Sequence, residues 1–98
     1  MTLLANTVYV DVERAIGLLH SNDIVFGDLR LPNIMVQENG HAVLIDFDWA
    51  AKENEGRYPP TIIITENHAN GVEGYGLMKK EHDLYLLNKL KNLCQPEP

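Results

Sequence analysis

The sequence predicts an α+β fold in which a helix precedes a small β-hairpin and a second helix follows a long loop. Apolar residues recur at helical spacing near the start of the chain and again near its end. Between them, two β-prone apolar runs flank an Asn-Gly pair, the strongest short signal for a hairpin. The 98 residues suffice for one domain, so we expect a single unit ordered as helix, short strand, loop, hairpin, long loop and helix.

The first helix is predicted over residues 6–21, with Asn6 or Thr7 as its N-cap. His20, at the end of this helix, is expected to form a structural hydrogen bond to the backbone of the following loop. A helix C-terminus also favours the charged imidazole. The apolar face that the helix would bury consists of Val8, Val12, Ala15, Ile16 and Leu19.

Three short strands are predicted, over about 24–26, 34–37 and 42–46. The last two form the hairpin, because Asn39-Gly40 between them tolerates the positive φ angles of a tight turn. Pairing of these strands would place the residue before the second strand beside the residue that ends the third.

This pairing predicts a polar site built from Asp28, Asn33 and Asp46. Asn33 follows Asp28 by five residues, and Asp46 follows it by eighteen. The hairpin would bring Asn33 beside Asp46, and an amide oxygen next to a carboxylate suits a hard cation such as Mg²⁺. Asp28 would stand nearby as a free carboxylate able to take a proton from a hydroxyl. The alternative is an Asx-type turn in which Asp28 and Asn33 merely close the loop.

Two separated motifs carry a resemblance to a known family. Leu19-His20 and the stretch IVFGDLRLPN at 24–33 resemble the catalytic loop of the protein-kinase-like superfamily, and LIDFD at 44–48 resembles its metal-binding segment. The resemblance covers roughly residues 10–50, and more weakly 80–90. It implies the fold of the central part of a kinase C-terminal lobe.

The resemblance also implies roles for single residues. Asp28 would be the catalytic base, and Arg30 would take the place of the basic phosphate contact in the loop. Asn33 and Asp46 would bind Mg²⁺ together with ATP, as metal ligands and cofactor-binding residues.

Three more residues are assigned to structural support of this site. Phe26 would keep an apolar packing role before the catalytic loop, and Phe47 lies within the metal-binding segment. Asp83 resembles the acid that ties a helix of kinase-like folds to the backbone of the catalytic loop. The alternative for Asp83 is an acid that favours the positive N-terminal end of its own helix.

Two departures separate the sequence from protein kinases that are regulated by phosphorylation. Gly27 stands where the catalytic loop of a protein kinase usually has arginine, and Asp48 stands where its metal-binding segment has glycine. A Gly-Asp pair in the loop is closer to small-molecule kinases, such as the aminoglycoside and choline phosphotransferases.

The second half of the chain is predicted as a loop over 51–78 and a helix over 79–94. Within the loop, the run at 61–65 is strongly β-forming and could be a strand, a buried segment or an exposed pairing edge. The apolar face of the helix would consist of Leu86, Leu87, Leu90, Leu93 and Cys94.

Composition excludes several classes of function. The net charge of −6 argues against a nucleic-acid partner, since phosphates demand a basic surface. No apolar run approaches the ~20 residues of a membrane span, so no membrane partner is expected. The single cysteine, Cys94, and the lack of a signal-peptide pattern favour a cytoplasmic, reducing location.

Two functions fit these observations. The sequence has no glycine-rich phosphate loop, so the favoured interpretation is a truncated, pseudokinase-type module without catalysis. Self-association or a protein partner would then cover its exposed apolar surface. The alternative is a Mg²⁺-dependent phosphotransferase that moves phosphate from ATP to a hydroxyl of a protein or small molecule. In that case a separately supplied lobe would bind the nucleotide.

Overall fold

A computed structural model of the chain describes residues 3–65, 68–69 and 71–96. The predicted α+β class and the order of the principal elements are confirmed. The described part of the chain contains no helix that is both long and apolar enough to span a membrane. The elements are α1 (Asn6–Ser21), β1 (Ile24–Val25), a 3₁₀ turn (Leu31–Asn33), β2 (Ile34–Val36), β3 (Ala42–Leu44), β4 (Ala51–Lys52) and α2 (Lys80–Leu93).

Helix α1 lies against α2 and the hairpin through one apolar face. Val8, Val12 and Ile16 recur at every fourth residue and are buried, which places them on the same side of the helix. They form a first hydrophobic cluster with residues from both helices and from the strand entry. The other buried members of this cluster are Phe26, Leu29, Ala42, Leu87, Leu90 and Cys94.

The start of α1 differs from the prediction. Its N-cap is Ala5, and neither Asn6 nor Thr7 caps the helix with a side chain. The predicted cap was wrong because the backbone before the helix is held by pairing with the end of α2. The amide of Leu4 donates to the carbonyl oxygen of Leu93 over 2.9 Å.

The predicted hairpin forms between β2 and β3, which pair antiparallel. Gly40 has φ of 85°, and the Asn39 side chain accepts a hydrogen bond from the amide of His41 at 3.0 Å, so the turn uses the properties of both residues. Both strands are shorter than predicted, since regular pairing ends before Asp46. The register pairs Ile34 with Leu44, Met35 with Val43 and Val36 with Ala42.

The predicted loop over 51–78 contains regular pairing that sequence analysis missed. Strand β4 at its start pairs antiparallel with β1, and an isolated bridge joins Arg57 to Leu77. Two-residue strands carry no periodic pattern, which is why the sequence did not show them. A second hydrophobic cluster lies under this segment and consists of Val25, Tyr58, Ala69, Val72 and Met78.

The β-forming run at 61–65 is not a strand in the structure. Ile62 is half-buried against the second cluster, whereas the side chain of Ile63 is 81% exposed and that of Ile64 is 48% exposed. The sequence left three interpretations of this run open, and the structure agrees with the one in which the apolar segment is exposed.

We predict that acid weakens the link between α1 and the hairpin. The Asp11 carboxylate accepts hydrogen bonds from the Ala42 amide at 2.9 Å and lies 3.0 Å from Nδ1 of His41. The hydrogen bond from the Ala42 amide, followed by the one from His41, holds the pKa of Asp11 below its usual value. A carboxylate with a lowered folded-state pKa stabilises the fold above its unfolded-state pKa, and this stabilisation is lost as the pH falls through the folded-state value.

Urea unfolding checks this prediction. Asp11→Asn should lower the free energy of unfolding by about 1 kcal/mol at neutral pH, with the difference shrinking below about pH 4. Glu38→Gln removes an exposed carboxylate from the hairpin turn and should change little at any pH. A difference between Asp11→Asn and the unaltered chain that stays constant down to low pH would contradict the assignment.

Candidate functional site

The catalytic-loop candidate begins where β1 ends, between the two hydrophobic clusters. Val25 and Phe26 are both fully buried and belong to different clusters, as expected from the alternation of side chains along extended chain. Gly27 then has φ of 82°, and a Cβ at this position would collide with the methyl group of Met78. Glycine is therefore required for the turn that brings Asp28 to the surface of the core.

The carboxylate of Asp83 fixes the backbone of this loop. It is fully buried in the first turn of α2 and accepts hydrogen bonds from the amides of Phe26 (2.7 Å) and Gly27 (3.0 Å). His20 lies 2.9 Å from the same carboxylate through Nε2, so its partner is a side chain and not the loop backbone that the sequence suggested. Because hydrogen bonds to a charged acceptor are the stronger ones, the position just before Asp28 is held tightly.

Asp28 and Asn33 contact each other, while Arg30 contacts Asp28. The Asn33 side-chain amide donates to the carbonyl oxygen of Asp28 over 2.9 Å, which closes the loop. Oδ1 of Asp28 lies 3.0 Å from Nε of Arg30, whose side chain is 63% exposed. Asp28 itself is only 8% exposed. The structure thus has an Asx-like closure of the loop, and the Asp28 carboxylate is almost buried and paired with Arg30, not free as predicted.

The hairpin register places Asp46 one residue beyond the partner of Asn33. The amide of Ile45 donates to the carbonyl oxygen of Asn33 over 2.9 Å, so Asp46 is the next residue beyond this pair. The Asn33 amide nitrogen is committed to Asp28, and its amide oxygen is the atom suited to a cation. An amide oxygen and an exposed carboxylate fit the hard, oxygen-preferring chemistry of Mg²⁺, with water completing the shell.

Asp46 has an unusual backbone. Its φ is 62°, in the left-handed region that non-glycine residues adopt at a cost, and its Oδ1 accepts a hydrogen bond from the Asp48 amide at 3.3 Å. The next ring, Phe47, packs edge-to-face on Phe26 with centroids 5.1 Å apart, yet Phe47 remains 48% exposed. The described residues include no group of three or more His, Cys, Asp or Glu side chains that could hold a metal, so any cation here would rely on the amide of Asn33.

Sequence reasoning missed a buried polar pair behind the site. The hydroxyl of Tyr58 lies 2.9 Å from Nδ1 of His82, and both side chains are buried. Burial raises the pKa of Tyr58 and the Asp83 carboxylate raises it further, while burial lowers the pKa of His82. Both groups are therefore neutral at pH 7. No spacing in the sequence joins these residues, which lie 24 positions apart.

A groove runs from the catalytic-loop candidate along α2. It has a volume of about 800 Å³, and its walls are the catalytic-loop candidate, the segment at 59–65 and one face of α2. Gly27 and Asp28 lie in its wall, together with Trp49. A bound molecule in this groove would therefore meet the Asp28 carboxylate.

Comparison with known proteins agrees with the two motifs. No protein-family model matches the chain. The chain is 56% identical over 34 residues to serine/threonine-protein kinase OXI1 of Arabidopsis thaliana, and 31% identical over 55 residues to serine/threonine-protein kinase ROP17 of Toxoplasma gondii. These stretches cover 35% and 56% of this chain, but 8% and 9% of the relatives. In these stretches the chain is similar to protein kinases.

A third relative extends the protein-kinase-like stretch. The cAMP-dependent protein kinase catalytic subunit PRKX of Homo sapiens is 32% identical over 72 residues, which is 64% of this chain and 20% of that protein. The chain thus spans between a twelfth and a fifth of the length of these three relatives. The similarity supports a kinase-like fragment and no finer assignment of activity.

We predict that Asp83 stabilises the fold through the loop and not through the helix dipole. Asp83→Ala leaves two buried amides without acceptors and should lower the free energy of unfolding by about 3 kcal/mol. Glu81 lies in the same first turn of α2 and is exposed. Glu81→Ala should cost no more than about 0.5 kcal/mol.

Urea unfolding of both variants measures the difference. Equal losses in the free energy of unfolding for the two variants would show that Asp83 acts mainly on the end of its own helix. Native-state hydrogen exchange at Phe26 and Gly27 gives a second readout, since only Asp83→Ala should expose these amides.

Proposed function

We propose that the chain forms the metal-binding and acceptor-facing part of a Mg²⁺-dependent phosphotransferase site. A nucleotide-gripping lobe would come from polypeptide outside these 98 residues. The observation that carries this proposal is the grouping of Asp28, Asn33 and Asp46 at one end of the hairpin, on a loop that Asp83 holds rigid. The kinase names of the relatives support the reaction class.

Each residue has a distinct task in such a transfer. The Asn33 amide oxygen and the Asp46 carboxylate would hold the cation, and Arg30 would face the transferred phosphate. Bound Mg²⁺-ATP supplies an activated γ-phosphoryl group. Asp28 would orient the acceptor hydroxyl and take its proton as the oxygen bonds to phosphorus and the bond to the departing ADP breaks.

The backbone of Asp46 has a positive φ, as do those of Asp23, Asn54 and Tyr75, and Asp46 is the one of these four that belongs to the candidate site. A non-glycine residue in the left-handed region costs roughly 1–2 kcal/mol, and such residues cluster where function requires a fixed geometry. Because Asp46 is exposed, a change of its backbone to a relaxed conformation would not disturb the packing of the core.

The hairpin also presents an apolar surface that another segment could cover. Met35 and Val43 oppose each other in the register and are 51% and 39% exposed, with Phe47 beyond them. This surface adjoins the candidate metal site, where a nucleotide-binding lobe would have to sit. A polypeptide that covered this surface would bury Met35, Val43 and Phe47, and it would close the candidate metal site at the same time.

The second candidate is a pseudokinase-type interaction module without catalysis. It is favoured by the same exposed surface and by Asp48, which adds a negative charge beside Asp46. Such a module would self-associate or bind a protein partner through Met35 and Val43. A charge introduced on that apolar surface, as in Val43→Lys, would then abolish the association while Asp28→Asn and Asp46→Asn would leave it intact.

Calorimetric titration with ATP, with and without Mg²⁺, tests the proposal. We expect heat that requires Mg²⁺, and a loss of affinity of about tenfold or more in Asp46→Asn, because a cation ligand is removed. Asp28→Asn should retain binding, since its role is proton transfer. Asp48→Asn removes the same charge two residues away and is the matched control, which should bind as the unaltered chain does.

Two results would reject the phosphotransferase site. One is the absence of Mg²⁺-dependent heat at millimolar nucleotide concentration. The other is an equal loss in Asp46→Asn and Asp48→Asn, which would reduce the effect to general charge. Either result would leave the interaction module as the better account.

A further inference from the structure

Two adjacent side chains at the start of α2 face different parts of the fold. Asp83 accepts hydrogen bonds from the amides of Phe26 and Gly27, whereas His82 contacts Tyr58 in the second hydrophobic cluster. His82 is 3% exposed and Tyr58 is 2% exposed, so their contact is shielded from water. A buried polar pair therefore ties α2 to the second cluster, and the proposed phosphotransferase site makes no use of it.

Tyr58 also joins two stretches of the loop between β4 and α2. Its amide donates to the carbonyl oxygen of Gly76 over 3.0 Å, and its own carbonyl oxygen accepts from the amide of Tyr75 over 3.1 Å. Its ring packs edge-to-face on Trp49, with the ring centroids 6.3 Å apart. A change at the Tyr58 hydroxyl therefore acts on the packing of the second cluster and on this backbone pairing together.

The hydrogen bond between Tyr58 and His82 requires a neutral imidazole. Burial raises the pKa of Tyr58, so its hydroxyl keeps its proton, which it can donate to Nδ1 of the neutral ring over 2.9 Å. A protonated imidazole carries a hydrogen on both nitrogens and accepts no hydrogen bond. Protonation of His82 would thus leave the buried hydroxyl hydrogen without its acceptor and would place a charge among apolar side chains.

The surroundings of His82 favour the neutral ring. Burial lowers the pKa of His82, and the neighbouring charges act in both directions: the two carboxylates raise this pKa and the lysine lowers it. Tyr58 is the titratable side chain that the described part of the loop turns toward the ring, while Gly71, close to Nε2, carries none. The charged residues that act on the ring are Glu81, Asp83 and Lys79.

We propose that the contact between His82 and Tyr58 is a pH-sensitive connection, which holds the second cluster on α2 at neutral pH and loosens it in mild acid. The loop before Asp28 would stay in place, because Asp83 holds it independently. Pro59 follows Tyr58 and lines the groove, so acid would also loosen this wall of the groove.

The direction of the pH effect follows from the lowered pKa of His82. A histidine with a lowered pKa in the closed form contributes its full stabilisation above its pKa in the open form, which is near the usual 6.5. This stabilisation is lost progressively as the pH falls from that value through the lower pKa of the closed form. The opening is therefore expected below about pH 6.5, whereas the loss of the Asp11 contact is expected below about pH 4.

Hydrogen exchange of single amides in the full chain, followed by NMR between about pH 8 and pH 5, tests the proposal. Protection is corrected for the intrinsic dependence of exchange on pH. We expect the protection of the Tyr58 and Tyr75 amides to fall by up to about tenfold per pH unit below about pH 6.5, the slope for the uptake of one proton. The amides of Phe26 and Gly27 should keep their protection.

Two substitutions separate the titration from the packing. His82→Gln keeps an acceptor for the Tyr58 hydroxyl but does not titrate, so the protection of the Tyr58 amide should no longer depend on pH in this range. Tyr58→Phe keeps the ring and removes the donor that stabilises the neutral imidazole, so the pKa of His82 should rise. His68→Gln is the matched control, because it removes a histidine of the same loop that contacts Thr65, and it should keep the slope of the unaltered chain.

Three results would overturn the inference: a pKa of His82 at or above 6.5 in the unaltered chain, a loss of protection in acid that persists in His82→Gln, or an equal loss at Phe26 and Gly27. The last result would show that the whole chain opens. Should circular dichroism show that His82→Gln is unfolded, the imidazole titration decides instead, and an unchanged pKa of His82 in Tyr58→Phe would reject the connection. These measurements contain no nucleotide or metal, so their outcome is independent of the proposed function.

Discussion

The buried carboxylate of Asp83 is the interaction on which the candidate site depends. A charge with no exposure to water is stable only when donors surround it, and here the donors are two loop amides and His20. The amides belong to Phe26 and Gly27, the residues that immediately precede Asp28. The position of the candidate base is therefore set by a helix more than fifty residues later in the sequence. Undocking of α2 would release the loop, because the amides of Phe26 and Gly27 would lose their acceptor.

The strand entry at Val25 and Phe26 also joins the two hydrophobic clusters. Val25 contributes to one cluster and Phe26 to the other, so the strand entry cannot shift without disturbing both. Met78, from the second cluster, lies against Gly27, whose φ of 82° disfavours any residue with a Cβ. Packing on both sides and the hydrogen bonds that the loop amides donate to Asp83 of α2 together restrain the loop. Such restriction is what phosphoryl transfer requires, since positioning supplies most of its catalysis.

The features that the sequence predicted are those with a local cause. Asn39-Gly40 specifies the hairpin turn through the φ angles it tolerates, and the hairpin in turn places Asn33 near Asp46. The features that the sequence did not predict depend on contacts between segments that are distant along the chain. The pairing of β4 with β1 and the contact between Tyr58 and His82 join residues that no local pattern relates.

Local β propensity does not produce a strand where no neighbouring strand is present to pair with it. The residues at 61–65 have strong β propensity, but propensity reflects packing against a neighbouring strand, and the described residues provide none beside them. The run is held instead by the burial of Ile62 against the second cluster, which leaves Ile63 outside. The same exposed side chain then becomes part of the groove wall.

Two features that are unfavourable in free energy lie close together at the end of the hairpin. Asp46 holds a left-handed backbone at roughly 1–2 kcal/mol, while Met35 and Val43 leave apolar surface in water. The first cost is only partly offset, by the hydrogen bond from the Asp48 amide to the Asp46 side chain, and the exposure of Met35 and Val43 is not offset within the described chain. Both would be offset by one event, the docking of a further segment that buries the apolar pair and uses the fixed carboxylate. Under the proposed function, the docking of one covering segment would therefore account for both the backbone of Asp46 and the exposed surface.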